Sequence, residues 1–159
     1  EIYTLSLHAL PICLGEIFCS EHFNLDGRAW AMLSIQHIYF DDHQSFDSFE
    51  FKNSVYFVLT VYLILGDDRG SSLFYFDVTN DYCPSSDHII IKEYEVYFRK
   101  KAIFVMKNFD KYILLNFINA LIKEESIDKN ENEISNNLTK YFHWEFDNYV
   151  PWQSWILKG

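Results

Sequence analysis

The hydrophobic period of this chain changes at Asp110, and no other feature restricts the fold as much. Before Asp110, apolar residues alternate with polar ones or run in short β-branched and aromatic stretches. After it, Leu114, Phe117, Ile118, Leu121 and Ile122 recur at i, i+3, i+4, i+7 and i+8, the stripe of an amphipathic helix. A strand repeats every two residues and a helix every 3.6 or so, so the chain reads as a block of strands followed by helices. That order predicts an α+β fold in which a helical pair covers one face or end of a sheet.

Within the strand block, residues 32–40 alternate loosely and read as a first strand. Asp41, Asp42, His43, Gln44 and Ser45 form a polar loop, and an aromatic and acidic stretch follows over 46–51. Residues 55–65 lack Gly and Pro and are rich in β-branched and aromatic side chains, which favours a central strand. Gly66-Asp67-Asp68-Arg69-Gly70 has hairpin chemistry, and 72–78 pairs back with Phe74 and Phe76 on one face and Leu73, Tyr75 and Asp77 on the other. Residues 80–87 read as a loop around Pro84. Residues 88–98 and 101–107 read as two more strands joined tightly at Arg99-Lys100, giving an antiparallel β-meander of about five strands.

The helical block begins with Asp110 as N-cap. Residues 126–132 form a charged break. A second helix then places Ile134, Leu138, Tyr141 and Phe142 on one face, with Asn136, Asn137 and Lys140 on the other. No repeat or internal domain boundary interrupts residues 32–150, which read as one domain; residues 151–159 read as a C-terminal tail.

The first twelve residues, EIYTLSLHALPI, resemble the in-frame translation of a common sequencing-library adapter with one Asp fewer between His8 and Ala9. Met32 is therefore the expected start, and 13–31 is either upstream sequence or a native extension. Residues 5–19 have a faint secretory character, but Pro11, His8, Glu1 and the lack of a basic lead argue against a signal peptide. Without residues 1–31, 128 of the 159 residues remain, enough for one core. The longest apolar run, 55–65, falls short of the roughly 20 residues a membrane helix requires, so a soluble protein is expected.

The whole chain carries a net charge of −10. Losing Glu1, Glu16, Glu21, Asp26 and Arg28 leaves 19 acids against 12 bases, or −7, over 32–159. No basic patch is visible, so direct nucleic-acid binding is not expected. Acidity instead suits either solubility alone or a basic protein partner. Aromatic residues make up 19% of the chain, so the core is expected to rest on Phe and Tyr more than Leu. Beyond residue 31 only Cys83 remains, which supports neither a disulfide framework nor a metal pair and suits a reducing cytoplasm.

The chain lacks a P-loop, GxGxxG, HExxH, GxSxG and CxxC. His37, His43, His88 and His143 have no metal-ligand spacing. Asp41-Asp42-His43 and His143-Trp144-Glu145 invite an acid–base reading, but a solvated loop and a histidine meeting a helix-end dipole account for them better. Cys83 beside Pro84 has no neighbour expected to activate it. A ring platform for carbohydrate is conceivable, although most rings fall at strand or helix spacing and read as core. No enzyme activity, cofactor or metal is expected.

The arrangement over residues 33–149 resembles the immunity-protein-8 family of bacterial polymorphic toxin systems. The turn 66–70 followed by Ser72-Leu-Phe-Tyr-Phe-Asp-Val78 is similar to the family's Ser-Phe-x-Phe-x-Val strand. Ala102-Ile-Phe-Val-Met106 leads into Asn108-Phe-Asp-Lys-Tyr112 as the family's strand leads into its helix. Trp144-Glu145-Phe146 and Tyr149 match the family ending. The family's Cys-Thr-Pro-Lys-Trp-Leu turn is altered here to Thr79-Asn80-Asp81-Tyr82-Cys83-Pro84, and its Gly-Arg-His lead appears only as Phe98-Arg99-Lys100-Lys101.

The resemblance implies a cytoplasmic inhibitor that binds a cognate toxin domain, expected to be a basic nuclease whose phosphate cleft accepts carboxylates. Candidate toxin contacts are Asp41, Asp42, Asp67, Asp68, Trp144, Glu145 and Asp147. Each also has a structural reading, Asp67 and Asp68 as turn formers and Trp144 as helix-end packing. The alternatives are an acidic regulatory or carbohydrate-binding domain without a toxin partner, and a small hydrolase using His143 and Glu145, which requires a pocket around both. Oligomeric state is left open.

Overall fold

Period-two burial organises the sheet. In β3 (Val58–Gly66) Leu59, Val61, Leu63 and Leu65 are buried, while Val58, Thr60, Tyr62 and Ile64 point the other way. Its antiparallel neighbour β4 (Ser71–Thr79) does the same, burying Phe74, Phe76 and Val78 and turning Leu73, Tyr75 and Asp77 outward as expected. The computed structural model describes residues 33–52, 54–67 and 69–147. The expectations for residues 1–32, Tyr149 and the tail at 151–159 lie outside the described residues.

The remaining strands are β1 (Ser34–Phe40), β2 (Gln44–Ser45), β5 (His88–Ile89), β6 (Tyr97–Lys100), β7 (Ile103–Val105) and β8 (His143–Trp144). They form one eight-stranded sheet in the order β2-β1-β3-β4-β7-β6-β5, with β8 also on β4. The fold is α+β, but the five-strand antiparallel meander requires correction. β7 runs parallel to β4, aligning Asp77 with Ile103 and Thr79 with Val105. β8 is antiparallel to the earlier part of the same edge, setting Phe74 against Trp144 and Tyr75 against His143. Local alternation encodes which face a side chain takes, not which distant strand fills an edge.

Three local expectations also shift. The polar loop at 41–45 is a 3-10 turn, Asp41–His43, plus the short β2. Residues 88–98 divide into β5, an irregular segment and β6. The hairpin bend falls at Lys101-Ala102, not Arg99-Lys100. Ala102 adopts a left-handed φ of 60°, and both its backbone groups are engaged: its N–H donates to Tyr141 and its carbonyl accepts from Asp77. At the β3–β4 turn Gly66 is required, since a Cβ there would collide with the Gly70 carbonyl.

Helix α1 (Lys111–Glu125) begins as expected, with the Asp110 carboxylate accepting from the Tyr112 and Ile113 N–H groups. It buries Leu114, Leu115, Phe117, Ile118, Leu121 and Ile122. Helix α2 (Glu131–Leu138) starts earlier than expected, because Asn130 and Glu133 form a reciprocal capping box. It also ends earlier, so Tyr141 and Phe142 follow the helix instead of lying on its face. Phe142 is nonetheless fully buried, 4.9 Å from Phe76 and 5.7 Å from Phe104 between ring centroids. Phe104 meets Phe117 of α1 at 5.6 Å, so these rings join sheet and helices. The expected reliance on Phe and Tyr over Leu is corrected in part: among the described residues nine Phe and eight Leu are buried and no Tyr is, because a tyrosine hydroxyl would need a buried partner. No described helix is long and apolar enough to cross a membrane.

Truncating the central ring removes contacts to two strands at once. Phe142→Ala is expected to destabilise the protein by about 3–5 kcal/mol, measured by urea denaturation.

Candidate functional site

The candidate residues separate along the sheet. Asp67, Trp144, Glu145 and Asp147 gather near the β3–β4 turn, whereas Asp41 lies near the far end of β3. Asp68 and the side chain of Asp42 lie outside the described residues.

At the turn, Asp67 folds its carboxylate back over the loop. It accepts the N–H groups of Arg69 (2.7 Å) and Gly70 (3.3 Å) and pairs with the Arg69 guanidinium. The Arg69 hydrogen bonds hold this carboxyl below its ordinary range. Arg69 also reaches Glu131 at the start of α2, at 3.1 Å.

Where β8 ends, the Glu145 side chain continues its ladder. The Leu73 N–H donates to Glu145 Oε1 at 2.8 Å, and the Glu145 N–H donates to the Leu73 carbonyl at 3.1 Å. The Trp144 ring stacks on Phe74 with centroids 6.0 Å apart and planes 9° from parallel, and its Nε1 is buried with no hydrogen-bond partner. Burial pushes the Asp147 carboxyl up, but Lys101 at 2.6 Å and the Trp144 N–H outweigh this and hold it below its ordinary value. His143 does not meet a helix end: it lies in β8, beside Tyr75 at 5.1 Å.

Asp41 accepts the Thr60 N–H at 2.7 Å, and the Thr60 hydroxyl donates to Asp77 at 2.8 Å. The four described acids among the candidates therefore each receive at least one backbone N–H. Their carboxylates are structural acceptors whatever else they contact.

Two features were not anticipated. Arg99 fastens both ends of the 80–87 loop, donating from Nε to Asp87 at 2.9 Å and reaching Asp81 at 3.2 Å and at its carbonyl oxygen. The signal was an arginine at strand spacing after an acid-bearing loop. Cys83 also corrects expectation, because hydrogen bonds with Ser85 and Ser86 lower its thiol pKa. Among the described residues no cluster of three or more His, Cys, Asp or Glu fits a metal. Shallow grooves beside Phe49 and Tyr112 and beside Tyr94 and Ile127 include neither His143 nor Glu145.

The Arg99 guanidinium holds the enclosed Asp87 carboxyl below its ordinary range, against the cost of burial and with help from the Cys83 N–H. A depressed folded-state pKa contributes stability that is present above the ordinary carboxylate pKa of about 3.9 and lost as pH falls through the folded value. Thermal melts are expected to show that acid loss, and Asp87→Asn to diminish it. Arg99→Ala, which leaves Asp87 enclosed without its cation, is expected to cost about 3 kcal/mol at neutral pH.

Neither the curated proteins nor the solved structures contain a significant match to this chain. The family model described as Immunity protein 8 matches residues 33–149, from the start of β1 to just past β8. That span covers most of the sequence and the whole described sheet and helical pair, and the chain belongs to the Immunity protein 8 family.

Proposed function

We propose that this protein binds and neutralises the toxin domain of a bacterial polymorphic or contact-dependent system, a basic nuclease, by covering its active site or substrate surface. Family membership over residues 33–149 is the observation that carries this reading. Immunity of this kind acts through binding and calls for no cofactor, and it operates in the cytoplasm, where such a nuclease meets its substrate.

The charge supports the choice of partner. A net −10 chain steers toward a cationic surface, and carboxylates resemble the phosphates a nuclease cleft is built to hold. Asp41, Asp42, Asp67, Asp68, Glu145 and Asp147 are proposed to add to this field, with Trp144, stacked on Phe74, as a further contact. Removing one carboxylate from Asp67, Glu145 or Asp147 costs local structure as well as charge, because each caps a backbone N–H.

The test is titration of the full chain with the toxin domain encoded immediately upstream, at several salt concentrations. Tight binding that abolishes toxin activity and weakens by about tenfold or more as salt rises from 50 to roughly 500 mM is the expected outcome. A folded chain that leaves this toxin free and active refutes the reading.

A further inference from the structure

The sheet face opposite the helices carries an aromatic row four strands wide. Cα register aligns Tyr39 of β1 with Tyr62 of β3, Tyr62 with Tyr75 of β4, and Tyr75 with His143 of β8. Ring centroids lie 6.3 Å apart for Tyr62–Tyr75 and 5.1 Å for Tyr75–His143, and His43 sits 5.7 Å from Tyr62. Tyr75 is 38% exposed, and His43 and His143 are exposed. Among the described residues the three tyrosine hydroxyls have no hydrogen-bond partner.

Over the four strands of this row the outward charge has one sign. No Lys or Arg occupies an outward position of β1, β3, β4 or β8. Asp77 does, next to Tyr75 on the same strand, and Asp41 approaches it across Thr60. Neither carboxylate forms an ion pair among the described residues. The acids at the turn end differ: Asp67 is committed to Arg69 and Asp147 to Lys101.

A tyrosine surface without lysine has the composition of a protein interface: the rings give rigid apolar area at small entropic cost, and their hydroxyls are free to bond across it. Tyrosine faces attract guanidinium groups, and unpaired carboxylates at the end of the row select a cationic occupant. We propose that this open face is the main docking surface for the toxin domain, whose arginines stack on Tyr39, Tyr62 and Tyr75 and pair with Asp77 and Asp41. The inference rests on the immunity reading and relocates its interface from the turn-end acids to the middle of the sheet.

The test compares toxin-domain affinity for the full chain and three variants, each checked for folding by its thermal melt. Tyr75→Ser removes a ring that is already partly exposed. Asp77→Asn keeps the bond from Thr60 and deletes only the charge. Glu124→Gln, on the exposed side of α1, is the control. Tyr75→Ser is expected to weaken binding by about tenfold or more, and Asp77→Asn to weaken it several-fold with a shallower salt dependence, while the control binds as wild type. Wild-type affinity in both sheet-face variants overturns the docking surface while leaving the immunity reading intact. So does sedimentation of the wild type as a dimer that Tyr75→Ser dissociates, which would assign the face to a second copy. Failure of the wild type to bind this toxin sinks the immunity reading itself.

Discussion

The second edge of β4 is shared by two segments from different parts of the chain, and the rest of the architecture depends on that division. A central strand has to satisfy its N–H and C=O groups along its whole length. β7 reaches only as far as Asp77, whose N–H donates to the Ala102 carbonyl. The earlier half would remain open without β8 and the Glu145 side chain, which engage Phe74, Tyr75 and Leu73. Closing this edge brings the end of the helical pair back to the sheet and delivers Phe142 to the middle of the core. Trp144 and Glu145 belong to the same closure, so these two residues of the family-like ending are accounted for by strand pairing and ring stacking.

The aromatic residues divide by polarity across the sheet. Phe74, Phe76, Phe104, Phe117 and Phe142 face inward, where a hydroxyl would need a buried partner. Tyr39, Tyr62 and Tyr75 face outward, where a hydroxyl remains accessible. The acids divide as well. Several carboxylates that look like surface charge serve as acceptors for backbone N–H groups at turns, helix starts and strand ends, so net charge overstates how much acid is free for a partner. Asp41 and Asp77 combine a structural hydrogen bond with the absence of an ion-pairing cation among the described residues.

Much of this was legible in the chain. The period change at Asp110, its N-cap, the β3–β4 hairpin and the inward or outward sense of residues 73–78 follow from local rules that act over a few residues. The shortened α2 was legible in principle, since Asn130 and Glu133 stand at capping-box spacing. The candidate acids were recognisable as acids, but their hydrogen bonds were not, because Glu145 acts on Leu73 and Asp41 on Thr60, far away in sequence. Arg99 was hidden for the same reason: its partners lie at opposite ends of a loop.

The sequence by itself determined the α+β class, the helix start at Asp110, the turn after Gly66 and the face each residue of β3 and β4 presents. These are set by side-chain period, capping chemistry and backbone sterics, which need no distant neighbour. Only the tertiary structure decided that β7 is parallel to β4, that β8 completes the same edge, and that Tyr39, Tyr62, Tyr75 and His143 align in one row. Each of those depends on which distant strand satisfies an open backbone edge, a choice made by the packing of the whole sheet and invisible in any local window.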